Sequence, residues 1–345
     1  MASLAELFGV THPILLGAFG GLSSVELTAA VSNAGGLGAY GLYGYDGDRI
    51  RQTAAELRAA TDKPVALNVW LPMGDEAVPS AQHTAFAQAL EPFYAAVGVE
   101  PPARPESYMP SLEEQLDAIW EAAPAVLSVV FGAPDEALVA EARDRGIRVI
   151  GTATTVAEAV ALDEAGVDAI VASGSEAAGH RVSFVKPAEE SLVGTFSLVP
   201  QVVDAVRVPV VAAGGVADRR GVAAALALGA SGVQVGTAFL ATRESAANEA
   251  HRDAIRSTAA DESVLTRAMS GRLARGARNR AVRAIEAGGM IAPFPTQNWL
   301  TGKFRTPAGQ QNMGELQSLW LGQSAPLARL DTAAEVFAEL AAGLR

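Results

Sequence analysis

Eight short apolar runs alternate with amphipathic stretches along this chain, and the alternation constrains its fold more than any other feature. The runs are nearly continuous in Val, Ile, Leu and Ala, as expected for parallel strands buried on both faces. We predict strands at residues 13–17, 37–42, 64–70, 125–131, 147–152, 168–173, 208–213 and 231–236. Eight β/α alternations predict an α/β fold of the (β/α)8, or TIM, barrel class. A doubly wound sheet is the alternative, but it normally has fewer strands and a dinucleotide-binding motif in its first turn.

Helical patterns separate the predicted strands. They cover residues 24–33, 135–145, 155–165 and 219–228. Each pattern is closed by glycine, the residue that most readily adopts the left-handed conformation in which helices commonly end. These terminal glycines therefore support discrete helices between successive strands.

Two stretches interrupt this regular order. Residues 72–123 are rich in proline and contain short helical patterns, which predicts a helical insertion after the third strand. Residues 257–345 follow the last barrel strand, and their Arg-, Gly- and Pro-rich part shows little strand pattern. We expect residues 1–71 and 124–256 to form the barrel and residues 257–345 to be a helical and loop extension. Excursions on the carboxyl side of barrel strands usually build over the active site.

Charge and residue usage exclude several classes of function. The 345 residues include 26 Lys and Arg against 38 Asp and Glu, and a net charge of −12 disfavours nucleic-acid binding. Without cysteine, the chain has no thiolate metal ligand and no Cys nucleophile. The histidine spacing matches no metal motif, so we expect no metal. We also expect a cytoplasmic protein without a membrane partner, because no apolar run approaches about 18 residues and no signal-peptide pattern is present.

The segment 36–41 matches the pattern G-x-G-x-x-G, which is found at dinucleotide sites. That motif should follow a strand and open a helix, whereas these glycines end a helix and enter a strand. We therefore interpret them as a helix stop with close backbone packing.

The seventh and eighth predicted strands both end in glycine turns. Gly214 and Gly215 follow the seventh strand, and Gly236 and Thr237 end the eighth. In a TIM barrel these neighbouring tips commonly bind phosphate, because glycine lets backbone N–H groups approach the oxygens and the next helix begins there. Two ordinary glycine turns would give the same pattern, but their adjacency favours a cofactor that carries phosphate.

A loop rich in small residues follows the sixth strand and ends at His180. Its small residues would let a flat ligand lie against the backbone, and a neutral imidazole there could donate a proton or accept one from a substrate. We expect the other three histidines, His12, His83 and His251, at the surface or as capping residues. Asn68 ends the third strand, where its amide could bind a heteroaromatic ring edge or simply close a turn.

The segment 270–280 concentrates arginine in an otherwise acidic chain. These residues could pair with carboxylates of the barrel or of a partner subunit, or they could close over an anionic cofactor or substrate. The sequence leaves both interpretations open.

Several blocks together resemble the FMN-dependent nitronate monooxygenases, formerly called 2-nitropropane dioxygenases. The resembling blocks are residues 31–38, 173–181, 212–218, 236–237, 270–280 and 319–323. The resemblance implies that His180 is the active-site histidine. It also implies a set of residues that contact FMN, which are Gly17, Ala18, Phe19, Asn68, Ser173, Gly174, Gly179, Gly214, Gly215, Gly236 and Thr237. Two positions depart from the family: Gly17-Ala18-Phe19 replaces Ala-Pro-Met, and Ser173 replaces a frequent Gln.

The activity implied by the resemblance is the oxidation of alkyl nitronates, the anions of nitroalkanes, by O₂ to carbonyl compounds and nitrite. An FMN reductase that uses NAD(P)H and acts on quinones or enoyl thioesters is the first alternative. A flavin- or ligand-binding barrel without catalysis is the second, and the altered first loop favours it. We expect a small-molecule substrate and O₂ as partners, and we consider a homodimer.

Overall fold

The computed structural model describes residues 3–75 and 77–344. Its strands are β1 (Ile14–Leu16), β2 (Gly38–Gly41), β3 (Val65–Trp70), β4 (Val126–Val130), β5 (Arg148–Ala153), β6 (Ala169–Ser173), β7 (Gly179–His180), β8 (Val210–Ala213), β9 (Gly232–Val235), β10 (Ser263–Thr266) and β11 (Ala274–Ala277). Its α-helices are α1 (Leu4–Phe8), α2 (Val25–Asn33), α3 (Gly47–Ala60), α4 (Ser80–Ala89), α5 (Glu91–Val97), α6 (Leu112–Ala122), α7 (Glu136–Asp144), α8 (Val156–Glu164), α9 (Thr195–Ala205), α10 (Arg219–Ala227), α11 (Thr237–Leu240), α12 (Glu249–Ser257), α13 (Arg280–Gly288), α14 (Thr296–Gln310) and α15 (Ala333–Ala341). Short 3-10 helices lie at Ala188–Glu190, Ala260–Glu262, Gly314–Leu316, Ala325–Leu327 and Ala342–Leu344. None of the described helices is long and apolar enough to cross a membrane.

Eight parallel strands form the barrel. Their order is β1-β9-β8-β6-β5-β4-β3-β2, and every neighbouring pair is parallel. A parallel bridge between Leu15 and Leu37 joins the two ends of this sheet. The α/β TIM-barrel class predicted from the alternating runs is therefore confirmed. The carboxyl ends of all eight strands meet at one face, where such barrels carry their sites.

The predicted boundaries of the barrel elements agree with the structure to within two residues. Ser24, Asp135 and Thr155 are N-caps whose side chains accept a backbone N–H from the first turn of α2, α7 and α8. The glycines that close these helices and α10 have positive φ, and they are Gly35, Gly146, Gly166 and Gly229. Local sequence therefore sets both ends of these helices.

The 36–41 glycine motif serves close packing, as interpreted from the sequence. It leads from α2 into β2 rather than from a strand into a helix. A methyl group on Gly38 would collide with the Thr28 carbonyl oxygen, and one on Gly41 would lie 2.8 Å from the Phe19 carbonyl oxygen. Only glycine fits at such approaches.

The insertion and the C-terminal extension pack against each other above the barrel. Phe93 of α5 stacks on Phe304 of α14 with ring centroids 5.1 Å apart, and the Tyr94 hydroxyl donates to the Leu300 carbonyl at 3.1 Å. These residues form a second hydrophobic core apart from that of the barrel. Helices α6 and α15, which the sequence analysis placed in the insertion and the extension, instead pack in the ring of barrel helices, against α3 and α2 respectively.

The extension also contains strands that its sequence did not indicate. β10 pairs with β11, and β11 pairs with the two-residue β7, in an antiparallel sheet of three strands. Ala274 is the register partner of His180. The strands are four residues long or shorter and pair over long sequence distances, so they leave little periodic signal. Through this sheet the extension fixes the backbone of the loop that follows β6 and ends at His180, which we call the histidine loop.

Candidate functional site

A cavity of about 740 Å³ lies between the carboxyl ends of the barrel strands and helix α14. Its size falls in the range that holds a cofactor or small ligand. Polar side chains at the strand ends contribute to its wall, and they are Asn68, Ser128, Thr152, Ser173 and Gln234. No group of metal-binding side chains occurs among the described residues.

Most of the site residues predicted from the sequence lie on this one wall. The cavity is lined by Gly17, Ala18, Phe19, Asn68, Ser173, Gly179, His180, Gly214, Gly215, Gly236 and Thr237. Gly174 is absent from the wall. A methyl group on Gly174 would collide with the Thr195 hydroxyl, and its carbonyl accepts a hydrogen bond from Arg181, so its role is to let the loop pack.

The glycine turns after β8 and β9 offer free backbone donors to the cavity. Gly215 has φ of +75° and open space where a side chain would stand, and Gly236 has only the Phe19 ring nearby. Within the described chain, no hydrogen bond uses the amide N–H of Gly215 or of Gly236. The Thr237 hydroxyl accepts from the Gly322 N–H at 3.0 Å, which leaves its own hydrogen to donate. Such a set of donors fits a phosphate group.

Charged side chains form hydrogen bonds with the backbone of the histidine loop and its neighbours. The buried Arg181 donates to the carbonyl oxygens of Gly174 and Ser173 at 2.6 and 2.9 Å. Glu176 accepts from the Thr195 N–H at 2.9 Å. Arg275 donates to the Ser175 carbonyl at 2.9 Å. These contacts satisfy the backbone groups of an irregular, partly buried loop, which would otherwise destabilise the fold.

His180 stands in an aromatic part of the cavity. Its ring centroid lies 5.0 Å from that of Trp70, 5.6 Å from that of Trp320 and 6.2 Å from that of Phe131. The Nε2 atom is 2.8 Å from the Ser270 hydroxyl. The single hydrogen of that hydroxyl has two acceptors within reach, Nε2 and the Arg272 carbonyl oxygen at 3.1 Å. The neutral ring donates from Nε2 when the hydroxyl donates to Arg272, and its proton lies on Nδ1 when the hydroxyl donates to Nε2.

The ionisation of His180 is strongly perturbed. Burial, together with the positive charges of Arg272 and Arg305, lowers the pKa of His180 from 6.5 to about 3. The imidazole is therefore neutral throughout the neutral pH range.

Arg272, whose charge contributes to the lowered pKa of His180, is itself paired with a carboxylate and packed against aromatic rings. Its guanidinium pairs with the Asp75 carboxylate and lies 4.1 Å from the Phe131 ring centroid and 4.0 Å from that of Phe294. Arg278, from the same arginine-rich segment, pairs with Glu286 at 3.5 Å. The carboxylate-pairing interpretation therefore describes these two residues, although the segment itself runs beside the cavity.

Asn68 lies at the cavity, whereas two of the other histidines are not where the sequence analysis expected them. The Asn68 amide nitrogen donates to the Ser128 carbonyl and hydroxyl at 3.2 and 3.1 Å, so its Oδ1 is left to accept from a ligand. The expectation that His83 and His251 lie at the surface was wrong, because both are 2% exposed. His251 lines the cavity, and its Nε2 lies 2.9 Å from the Trp320 carbonyl oxygen.

Several lining residues were missed by the sequence analysis. Trp70 lies two residues after Asn68 on β3, and side chains two apart share one face of a strand, so this residue could have been found. One face of α14 also lines the cavity, through residues Asn298, Gly302, Arg305, Thr306 and Gly309. Nothing in the sequence links this helix to the barrel, because its other face packs on the insertion.

Comparison with known proteins identifies the family of this chain. The family model described as nitronate monooxygenase matches residues 2–343. A Staphylococcus aureus (strain MRSA252) relative named probable nitronate monooxygenase is 39% identical over 327 residues, covering 94% of this chain and 92% of the relative. The chain belongs to the nitronate monooxygenase family. This is a flavin-dependent family of oxidoreductases, and the protein is accordingly an enzyme.

Solved structures show the same architecture. Nitroalkane oxidase from Streptomyces ansochromogenes superposes with a TM-score of 0.89 at 34% identity, over 99% of this chain and 98% of that one. FabK from Thermotoga maritima superposes with a TM-score of 0.76 at 29% identity, over 99% and 95% respectively. The barrel, the insertion and the extension of this nitronate monooxygenase family member are therefore shared with both proteins along nearly their whole length.

Proposed function

We propose that this enzyme binds FMN and oxidises alkyl nitronates with O₂ to carbonyl compounds and nitrite. One observation carries the proposal: the neutral His180 and the two glycine turns line one cavity in a chain of the nitronate monooxygenase family. The similarity to a nitroalkane oxidase supports a substrate derived from a nitroalkane.

The residues present fit FMN. The free amides of Gly215 and Gly236 and the Thr237 hydroxyl would hold its phosphate. Asn68 Oδ1 would accept from a ring N–H, and the small residues Gly17 and Ala18 would let the ring lie close to the backbone. The chemistry that FMN would supply when bound is acceptance of electrons from the nitronate before oxygen reacts.

The protein's own side chains orient and protect the substrate. With the Ser270 hydrogen directed to Nε2, His180 donates a hydrogen bond from Nδ1 to the nitronate, beside the rings of Trp70 and Trp320. A ring with a pKa of about 3 is a poor proton acceptor at neutral pH. We therefore assign it a binding role and take the preformed nitronate, rather than the neutral nitroalkane, as substrate.

A reductase that uses NAD(P)H is the second candidate. The similarity to FabK favours it, and so does a second cavity of about 440 Å³ that shares Trp70 with the first and is also lined by Arg104 and Arg272. This second space could accept a further ligand beside the flavin site.

Anaerobic rapid mixing separates the two candidates. The flavin-loaded protein is mixed with ethyl nitronate or with NADH, and the flavin absorbance is followed at about 450 nm. Loss of absorbance with the nitronate within seconds, and none with NADH, supports the proposed oxidation. Rapid loss with NADH and none with nitronate supports the reductase and rejects our proposal.

A further inference from the structure

Arg305 presents an uncommitted positive charge to the cavity. It lies on the cavity face of α14. Its Nη1 donates to the Ser318 hydroxyl at 2.7 Å, and its Nη2 donates to Asn298 Oδ1 at 2.7 Å. Its Nε is buried and makes no hydrogen bond to any described residue. A buried donor without a partner is costly, so the hydrogen bonds of this guanidinium are incompletely satisfied within the described chain.

The charge of Arg305 also lacks a counterion within the described chain. The neighbouring cation Arg272 is paired with Asp75, whereas no described carboxylate lies within ion-pair distance of Arg305. Burial lowers the pKa of Arg305 to about 10, which still leaves it charged at neutral pH. Unpaired buried charges are strongly unfavourable, so an anion in the cavity would stabilise this arrangement.

Arg305 also orients two hydroxyl groups. Because Ser318 Oγ accepts from Arg305, its own hydrogen is free to point into the cavity that it lines. Asn298 relays the same effect: its Oδ1 accepts from Arg305 while its Nδ2 donates to the Tyr43 hydroxyl at 2.8 Å. The Tyr43 hydroxyl therefore also keeps its hydrogen for a ligand. Burial raises the pKa of Tyr43 to about 12, so this donor stays protonated.

We propose that Arg305, Tyr43 and Ser318 form an oxyanion-binding array that holds the charged nitronate group of the substrate. The proposal rests on the proposed function and adds the residues that select an anion over the neutral nitroalkane. A planar oxyanion offers acceptor lone pairs to the two hydroxyl hydrogens, and the charge of the guanidinium attracts it more strongly than a neutral donor does.

The array is tested by anion binding to the flavin-loaded protein. Nitrate, a planar oxyanion that is not oxidised, is titrated by calorimetry, and kcat/KM is measured for ethyl nitronate and for a nitronate that carries a carboxylate. Arg305→Gln should weaken nitrate binding and lower kcat/KM for both nitronates by about 10- to 100-fold. Arg305→Lys should recover part of the loss, because it keeps the charge without the planar fork. Arg280→Gln removes an exposed positive charge and should leave both quantities unchanged.

Single-donor variants keep the test valid where Arg305→Gln fails to fold. Tyr43→Phe and Ser318→Ala each remove one hydroxyl and should each weaken nitrate by about 3- to 10-fold. Unchanged nitrate affinity in all three variants overturns the array. Loss restricted to the carboxylated nitronate overturns the assignment to the nitronate group. Loss of flavin with unchanged nitrate affinity of the remaining holoenzyme also overturns it, since the array would then bind cofactor.

The array and the proposed function can fail separately. A wild-type protein that binds nitrate through Arg305 but oxidises no nitronate retains the array and rejects the function. A wild-type protein that oxidises nitronates, with the Arg305→Gln variant equally active, retains the function and rejects the array.

Discussion

Replacing His180 with Asn tests whether the imidazole acts as a neutral hydrogen-bonding group or as a proton acceptor. Its pKa is lowered from 6.5 to about 3 by burial and by the charges of Arg272 and Arg305. At roughly 1.4 kcal/mol per pKa unit, this difference favours the neutral ring by at most about 5 kcal/mol, and by less where cavity water screens it. General-base assistance needs a pKa near the working pH.

The wild-type enzyme should therefore use a preformed nitronate at pH 7 at least about 100-fold faster than the matching neutral nitroalkane. His180→Asn should lower kcat/KM for the nitronate by about 10- to 100-fold, the value of one hydrogen bond to a charged group. The loss on the nitroalkane should be no larger, because in this account His180 does not remove the proton of the nitroalkane.

The assay is stopped-flow oxidation of ethyl nitronate between pH 5 and 8.5. Because the pKa of His180 lies near 3, the ring stays neutral over this range and contributes no inflection to log kcat/KM. The matched control is His12→Asn, since His12 packs on Phe337 outside the cavity. An inflection between pH 6 and 7.5 in the wild type that disappears in His180→Asn would refute the reasoning, because the imidazole would then titrate in its ordinary range.

Three further predictions concern the cofactor site and the packing around it. Gly236→Asp should yield folded protein without flavin, because a carboxylate would repel the phosphate. Gly236→Ala should retain flavin, because a methyl group there meets only a ring atom at 3.5 Å. Flavin absorbance per protein measures the cofactor content, and circular dichroism checks that both variants fold. Arg181→Met should lower the free energy of unfolding in urea by about 1–3 kcal/mol, since two loop carbonyls lose their donor; an unchanged value would show that the loop does not need it. Phe304→Ala should lower the free energy of unfolding by about 3–5 kcal/mol in the same assay. The control Phe196→Ala removes an exposed ring and should lower it by less than about 0.5 kcal/mol. Equal losses in the two variants would contradict the second core.

The barrel was predictable because its signals are local. Strands buried on both faces are continuously apolar, and caps such as Ser24 and Asp135 mark where helices begin. The strand tips with Gly215 and Gly236 followed from the same count, since adjacent strands bring their carboxyl ends together.

The rest of the site depends on contacts that no local pattern carries. Arg305 reaches the cavity only because the opposite face of α14 packs on the insertion. The low pKa of His180 arises from burial and from two arginines distant in sequence. The short strands β10 and β11 form only against each other and the histidine loop. Such long-range pairing has to be seen in the fold.

Oxygen uptake coupled to nitrite formation tests the central claim most directly. Purified, flavin-loaded protein is supplied with ethyl nitronate in an oxygen electrode, and nitrite and acetaldehyde are quantified at the end. The proposed function predicts that oxygen is consumed only when the nitronate is present, and that nitrite and acetaldehyde appear in equal amounts. Flavin-loaded protein that consumes no oxygen and releases no nitrite under these conditions would contradict the proposed function.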